Sequence, residues 1–140
     1  MKEIEIDGKK YNISCTAYTR FQYKKIFGVG IFEDIAKINN FNTLSFSKRE
    51  ELKKEGKSEQ EIDTIIQSMM MSNLDDFIDV LQRLAYIEIL TANSNMEPYE
   101  KWLSGINQIS LSDKWIAEVT ELAVNSFCGS GTDTGTKEVT

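Results

Sequence analysis

Histidine is absent from this chain, proline occurs once, at Pro98, and cysteine twice, at Cys15 and Cys128. Without histidine there is no imidazole for a Ser-His-Asp type triad or for ordinary general-base chemistry near neutral pH. The two cysteines form no CxxC unit, and no histidine stands ready to complete a metal site, so both read as reduced, structural thiols. Positive charge is also in deficit, with 16 basic against 22 acidic residues and a formal charge of -6. That balance argues against a general nucleic-acid binder and against an anionic membrane surface as the main partner. No apolar run approaches the roughly 20 residues needed to span a bilayer. The opening MKEIEIDGKK is too charged for a signal peptide. Gly28-Val29-Gly30 lacks the later glycine, lysine and hydroxyl residue of a phosphate-binding loop, and reads as a helix breaker.

What is present fits one domain with a substantial core: 140 residues, 41% of them hydrophobic. IEI and YNI flank Asp7-Gly8, a pair suited to a two-residue type I′ turn because both central residues need positive φ. This predicts a hairpin with Ile6 opposite Lys9, Glu5 opposite Lys10 and Ile4 opposite Tyr11. Ile4, Ile6, Tyr11 and Ile13 then share an apolar face that must dock on helices, since a lone hairpin is marginal.

Helical spacing follows. Thr16 is a suitable N-cap, and Tyr18, Phe21 and Lys25 fall on one stripe of a helix that Gly28 ends. A short helix is expected from Ile31 to about Ile38, with NNFNTLSF as a loop after it. Ser47 with Glu50, and Ser58 with Glu61, have capping-box spacing. The charged KREELKKEGK between them reads as a solvated short helix with a turn at Gly56. The second box opens a helix carrying Ile62, Ile65, Ile66, Met69 and Met70. A separate central helix, capped by Ser72 or Asn73, keeps an apolar rhythm from Leu74 to Ile89 and should stop in TANSN. Pro98 suits the first turn of a helix carrying Trp102, Leu103 and Ile106. Ser112 is placed to cap the last helix, with Trp115, Ile116, Val119, Leu122, Ala123 and Phe127 on its buried face. The fold class expected is α+β: one mainly α-helical domain over 1–128 with an N-terminal β-hairpin, and a disordered tail over 129–140, where Val139 is the only sizeable apolar side chain.

Chemistry-bearing constellations are scarce. Asp75, Asp76 and Asp79 gather near a predicted helix start, where carboxylates are favoured by the helix dipole without any catalytic role. Glu118 and Glu121 near Trp115 take the same reading. Met69, Met70 and Met71 form a run of a flexible, polarizable residue that suits adaptable binding surfaces, although helical spacing argues first for packing. The residues therefore describe a non-enzymatic binding protein with no cofactor and no metal.

IEIDGKKYNI, the aromatic helix TAYTRFQYKKIFG, the long FIDVLQRLAYIEILTANSN, then PYEKWLSGI and LSDKWIAEVTELAVNSF before a polar end, come in a telling order. Together they resemble the tail assembly chaperones of phages and prophages of low-GC Gram-positive bacteria, most closely from Pro98 to Phe127. The charged segment from Ser47 to Gln60 has no counterpart in that resemblance. The resemblance implies a non-catalytic protein of the host bacterial cytoplasm, missing from the mature virion. It would bind the tape-measure protein, keep it soluble and help recruit tail-tube protein subunits, with self-association possible. Many such chaperones are made in two lengths by a ribosomal frameshift, which would make GSGTDTGTKEVT a flexible joint. Exposed members of Met69, Met70, Met71, Tyr86, Tyr99 and Trp102 are the candidate partner contacts. Two competing expectations stand beside it: a small phage-encoded acidic adaptor or regulatory protein that binds a host or phage protein, and an enzyme of an unfamiliar kind.

Overall fold

The hairpin forms in the expected register. In a computed structural model, which describes residues 2–110 and 112–127 apart from the side chains of Asn42 and Leu44, β1 (Lys2–Ile6) and β2 (Lys9–Ile13) pair antiparallel. Ile4 faces Tyr11, Glu5 faces Lys10 and Ile6 faces Lys9. Asp7 (φ 51°) and Gly8 (φ 81°) supply the two positive dihedrals the turn requires. Ile4, Ile6 and Ile13 are buried, each worth about 1.5–3 kcal/mol of transfer free energy.

Five helices follow among the described residues: α1 (Ala17–Phe27), α2 (Ile31–Lys54), α3 (Glu59–Ala92), α4 (Tyr99–Ser104) and α5 (Lys114–Phe127). The fold is thus α+β and mainly helical. The described chain divides into two compact units. One comprises the residues up to Ile31 together with those from Leu81 on, and the other is Phe32–Val80. The expected disorder over 129–140 lies outside the described residues, as does Cys128.

In the first unit, β1 packs on α5. The Ser14 N–H donates to the Glu88 carbonyl (3.1 Å), tying the end of the hairpin to the last part of α3. Thr16 caps α1: its hydroxyl accepts from the Tyr18 amide, and its own N–H donates to Thr19 Oγ1 at 2.9 Å. Gly28, at φ 76°, closes α1 in the left-handed conformation. The α1 stripe of Tyr18, Phe21 and Lys25 faces solvent; the buried side of the helix is Thr19 and Tyr23. Periodicity groups residues on one face but does not say which face turns inward. Pro98 caps α4 from just outside its first turn, and α5 begins at Lys114, one residue later than a Ser112 cap requires.

The second unit is an antiparallel helical hairpin, and here two expectations fail. Ile31–Lys54 is one helix, so NNFNTLSF is no loop and Ser47 is not a cap. Ile31, Ile38, Ser45 and Leu52 recur every seven residues, but Ser45 and the half-buried Arg49 hide the stripe from a hydropathy reading. Glu59–Ala92 is likewise one helix rather than two. Ser72 Oγ and Asn73 Nδ2 both donate backwards to the Met69 carbonyl (2.7 and 3.1 Å) instead of capping a new start. Ser58 does cap α3, exchanging bonds with Glu61 (3.0 and 3.2 Å). Gly56, at φ 82°, makes the turn, and the Lys57 N–H reaches the Leu52 carbonyl at 3.2 Å. The register then runs from the buried cluster of Leu52, Ile62 and Ile66, through Arg49–Asp63 (2.9 Å) and Ser45–Met70 (3.7 Å), to Phe41 stacked on Phe77 at 4.2 Å.

Candidate partner-binding surface

The six expected contact residues are not brought together on a surface. Tyr86 and Trp102 are each 4% exposed and Tyr99 is half-buried. Their rings form one cluster with Phe27 and Tyr11: Tyr86–Tyr99 at 5.2 Å, Tyr86–Trp102 at 5.5 Å, Phe27–Tyr99 at 4.9 Å and Tyr11–Trp102 at 6.3 Å. The Tyr86 hydroxyl donates to the Glu97 carbonyl at 2.6 Å, anchoring the loop before α4. These rings are packing, and a partner reaches Tyr86 or Trp102 only if the unit opens. Met69 and Met70 are half-buried against Leu52, Ile62 and Ile66. Met71 alone of the six is open to solvent, at 65%.

The polar groups with unusual environments are structural in geometry. Glu88 lies fully buried on α3, and among the described residues neither carboxylate oxygen has a hydrogen-bond partner. Burial pushes its carboxyl well above the usual carboxylate range. Cys15 is a free, half-buried thiol pushed up to about 12, first by burial and then by the charge of Glu88. A thiol so far from ionisation is a poor nucleophile. Beside them Thr19 and Thr91 share a 2.8 Å hydroxyl contact, and Thr91 also donates to the Ile87 carbonyl (2.8 Å). Nothing in the sequence reading marked Glu88; its one signal is a carboxylate inside the apolar run YIEIL.

A cleft of about 670 Å³ lies beside the hairpin turn and is lined by Glu5, Asp7, Asp113 and Lys114 among others. Two of its carboxylates are engaged with the backbone. Asp7 accepts from the Asn107 amide (2.8 Å), and Asp113 accepts from the Ser110 amide (2.9 Å) and from Trp115 Nε1 (3.3 Å). Asp75, Asp76 and Asp79 are exposed along α3. Among the described residues no three histidine, cysteine or carboxylate side chains are grouped to hold a metal ion.

What solvent does meet is apolar at an unusual set of places. Tyr18, Phe21, Ile26, Phe32, Phe46 and Met71 are all large hydrophobic residues left exposed. Tyr18 and Phe21 stack on each other with centroids 5.8 Å apart and planes 22° from parallel. Both residues fall on one helical stripe in the sequence, yet neither is among the six expected contacts. The signal available was the run YTRFQYKK, in which aromatic and basic residues alternate with no acid among them. Among the described residues no helix is long and apolar enough to cross a membrane. No family model, curated protein or solved structure matches the chain at a level that establishes kinship.

Proposed function

We propose that this chain is a non-catalytic chaperone of phage tail assembly, which holds helical segments of a tape-measure protein in solution and helps bring tail-tube subunits to them. The observation that supports it is the set of large apolar side chains left in solvent on α1, α2 and α3, with the α1 pair at more than half exposure (Tyr18 58%, Phe21 57%). Contiguous exposed apolar surface marks interaction sites, whereas single exposed hydrophobics are ordinary, and the stacked Tyr18 and Phe21 rings are contiguous. Helical partners offer apolar residues at i, i+3, i+4 and i+7, and docking such a stripe on exposed rings is a recurrent way to recognise a helix. Weak sites repeated along a long partner add up through effective concentration. The order of elements that carries the resemblance to tail assembly chaperones points the same way. Self-association and a frameshifted longer form belong to this proposal.

Co-expression tests it. A tape-measure protein from the same genome should gain soluble fraction when the chain is present. The triple variant Asp75→Asn, Asp76→Asn, Asp79→Asn should retain the effect, because the proposal assigns those carboxylates no role. A folded chain that leaves tape-measure solubility unchanged would count against the chaperone. Loss of activity in the triple variant alone would favour the acidic adaptor reading.

A further inference from the structure

The outward face of α1 differs in charge from the rest of the chain. Ala17–Phe27 holds Arg20, Lys24 and Lys25 and no acid, which leaves 13 bases and 22 acids elsewhere. All three cations are exposed, and none forms an ion pair among the described residues. At 100° per residue, Arg20, Lys24, Phe21, Lys25 and Tyr18 succeed one another around a single face, opposite the buried Thr19 and Tyr23. The stems of Arg20, Lys24 and Lys25 join the Phe21 ring around a notch of about 430 Å³.

Two lysines in a last helical turn suit the helix dipole, which accounts for Lys24 and Lys25. It accounts neither for Arg20 nor for two stacked rings in solvent beside them. We infer that this face is the docking site for an acidic amphipathic α-helix, whose apolar stripe lies on Tyr18 and Phe21 while its flanking carboxylates meet Arg20, Lys24 and Lys25. The line from Tyr18 to Lys25 covers two turns, about 10 Å, which matches the i to i+7 span of one helical stripe. Charge fixes the choice of occupant. An acidic partner is attracted to this acid-free face and disfavoured by the net-acidic remainder of the chain. Three cations are too few to track a nucleic-acid strand against that remainder. A second copy packed symmetrically would set three cations against three cations.

This deepens the proposed function and rests on it only for the partner's identity. The test uses the full chain and two peptides about three heptads long, with the same leucine stripe and either glutamate or lysine on the polar face. The acidic peptide should bind, and the basic one should bind at least about tenfold more weakly. Tyr18→Ser with Phe21→Ser should weaken acidic-peptide binding about tenfold without moving the thermal midpoint, because both rings are exposed. Lys24→Glu with Lys25→Glu should reverse the peptide preference. Equal binding of the two peptides, binding of neither, preference for a single-stranded oligonucleotide, or a dimer that the Tyr18/Phe21 variant abolishes would each overturn the inference. If the α1 variants still solubilise tape-measure protein as wild type does, the inference fails and the chaperone stands. If the acidic peptide binds as expected but tape-measure protein stays insoluble, the α1 site stands and the chaperone fails.

Discussion

The unit built from the two ends of the described chain and the unit Phe32–Val80 are held in different ways. In the first, the ties join residues far apart in sequence: Ser14 to Glu88, Thr19 to Thr91, Tyr23 to Arg83 and Asp7 to Asn107. Its core contains fully buried side chains from β1, β2, α1, α3 and α5, among them Ile6, Ile13, Tyr23, Leu84, Ile87 and Val119. In the second, two helices adjacent in sequence zip together from the Gly56 turn, and much of the apolar cluster, Ile65, Met69 and Met70, is only partly buried. Long-range burial makes a unit cooperative and costly to open, whereas a helical hairpin with a partly exposed seam opens at lower free energy. The unit that carries α1, the platform, is therefore expected to be harder to open than the hairpin.

The largest expected effect is a cavity in the platform. Leu84→Ala should cost about 3 kcal/mol, because the site is fully closed and its surroundings cannot collapse. Ile66→Ala should cost about 2 kcal/mol, since the flexible, half-exposed methionines beside it can move in. Trp102 and Trp115 both belong to the platform, so urea unfolding followed by tryptophan fluorescence should register Leu84→Ala and largely miss Ile66→Ala. Far-UV ellipticity should register both. Coincident transitions with equal shifts in both variants would mean that the two units unfold as one.

Next comes the hairpin turn. Gly8 has open space around a built Cβ, but its φ of 81° strains any other L-residue and a β-branched one most. Gly8→Val should destabilise by about 1–2 kcal/mol, read in the tryptophan signal. A neutral result would mean the turn is not closed by a positive φ at this position.

Glu88 sharpens the comparison through pH. Its folded-state pKa is raised by burial, so the folded chain favours the protonated acid more than the unfolded chain does. That contribution is fully present below the ordinary glutamate pKa and is lost as pH rises through the raised folded value. Platform stability should therefore fall with rising pH across that window. Glu88→Gln, which cannot ionise, should flatten the slope and be the more stable form at neutral pH. Parallel pH profiles for the two proteins would show that Glu88 is ionised in the folded chain.

The smallest effect belongs to the second unit. Arg49, which bridges to Asp63 at 2.9 Å and Glu59 at 3.9 Å, is partly exposed. Arg49→Ala should cost about 0.5 kcal/mol, less at high salt. A cost several times larger would place more of the hairpin's stability in its surface charges than in Leu52, Ile62 and Ile66.

Sequence reading served best where a local rule settles the geometry. Asp7-Gly8 set the hairpin register, Thr16 and Ser58 made their caps, Gly28 ended α1, and α3 stopped on entering TANSN. It failed where tertiary packing overrode a local signal. Ser47, Ser72 and Asn73 have the chemistry of helix starts, yet helix runs through all three because buried neighbours such as Phe41, Leu52 and Val80 reward continuity. The candidate site was hardest to read. Tyr86 and Trp102 are as aromatic as Tyr18 and Phe21, and only packing decides which pair stays in water.

Hydrogen exchange on the full chain, alone and with the proposed tape-measure partner added, tests the proposed α1 site most directly. The account predicts slowed exchange across Tyr18–Lys25, carried in the Tyr18→Ser/Phe21→Ser variant to little or none. Unchanged exchange in α1, with new protection instead around Asp7 and Asp113, would contradict it and move the site to the cleft beside the hairpin.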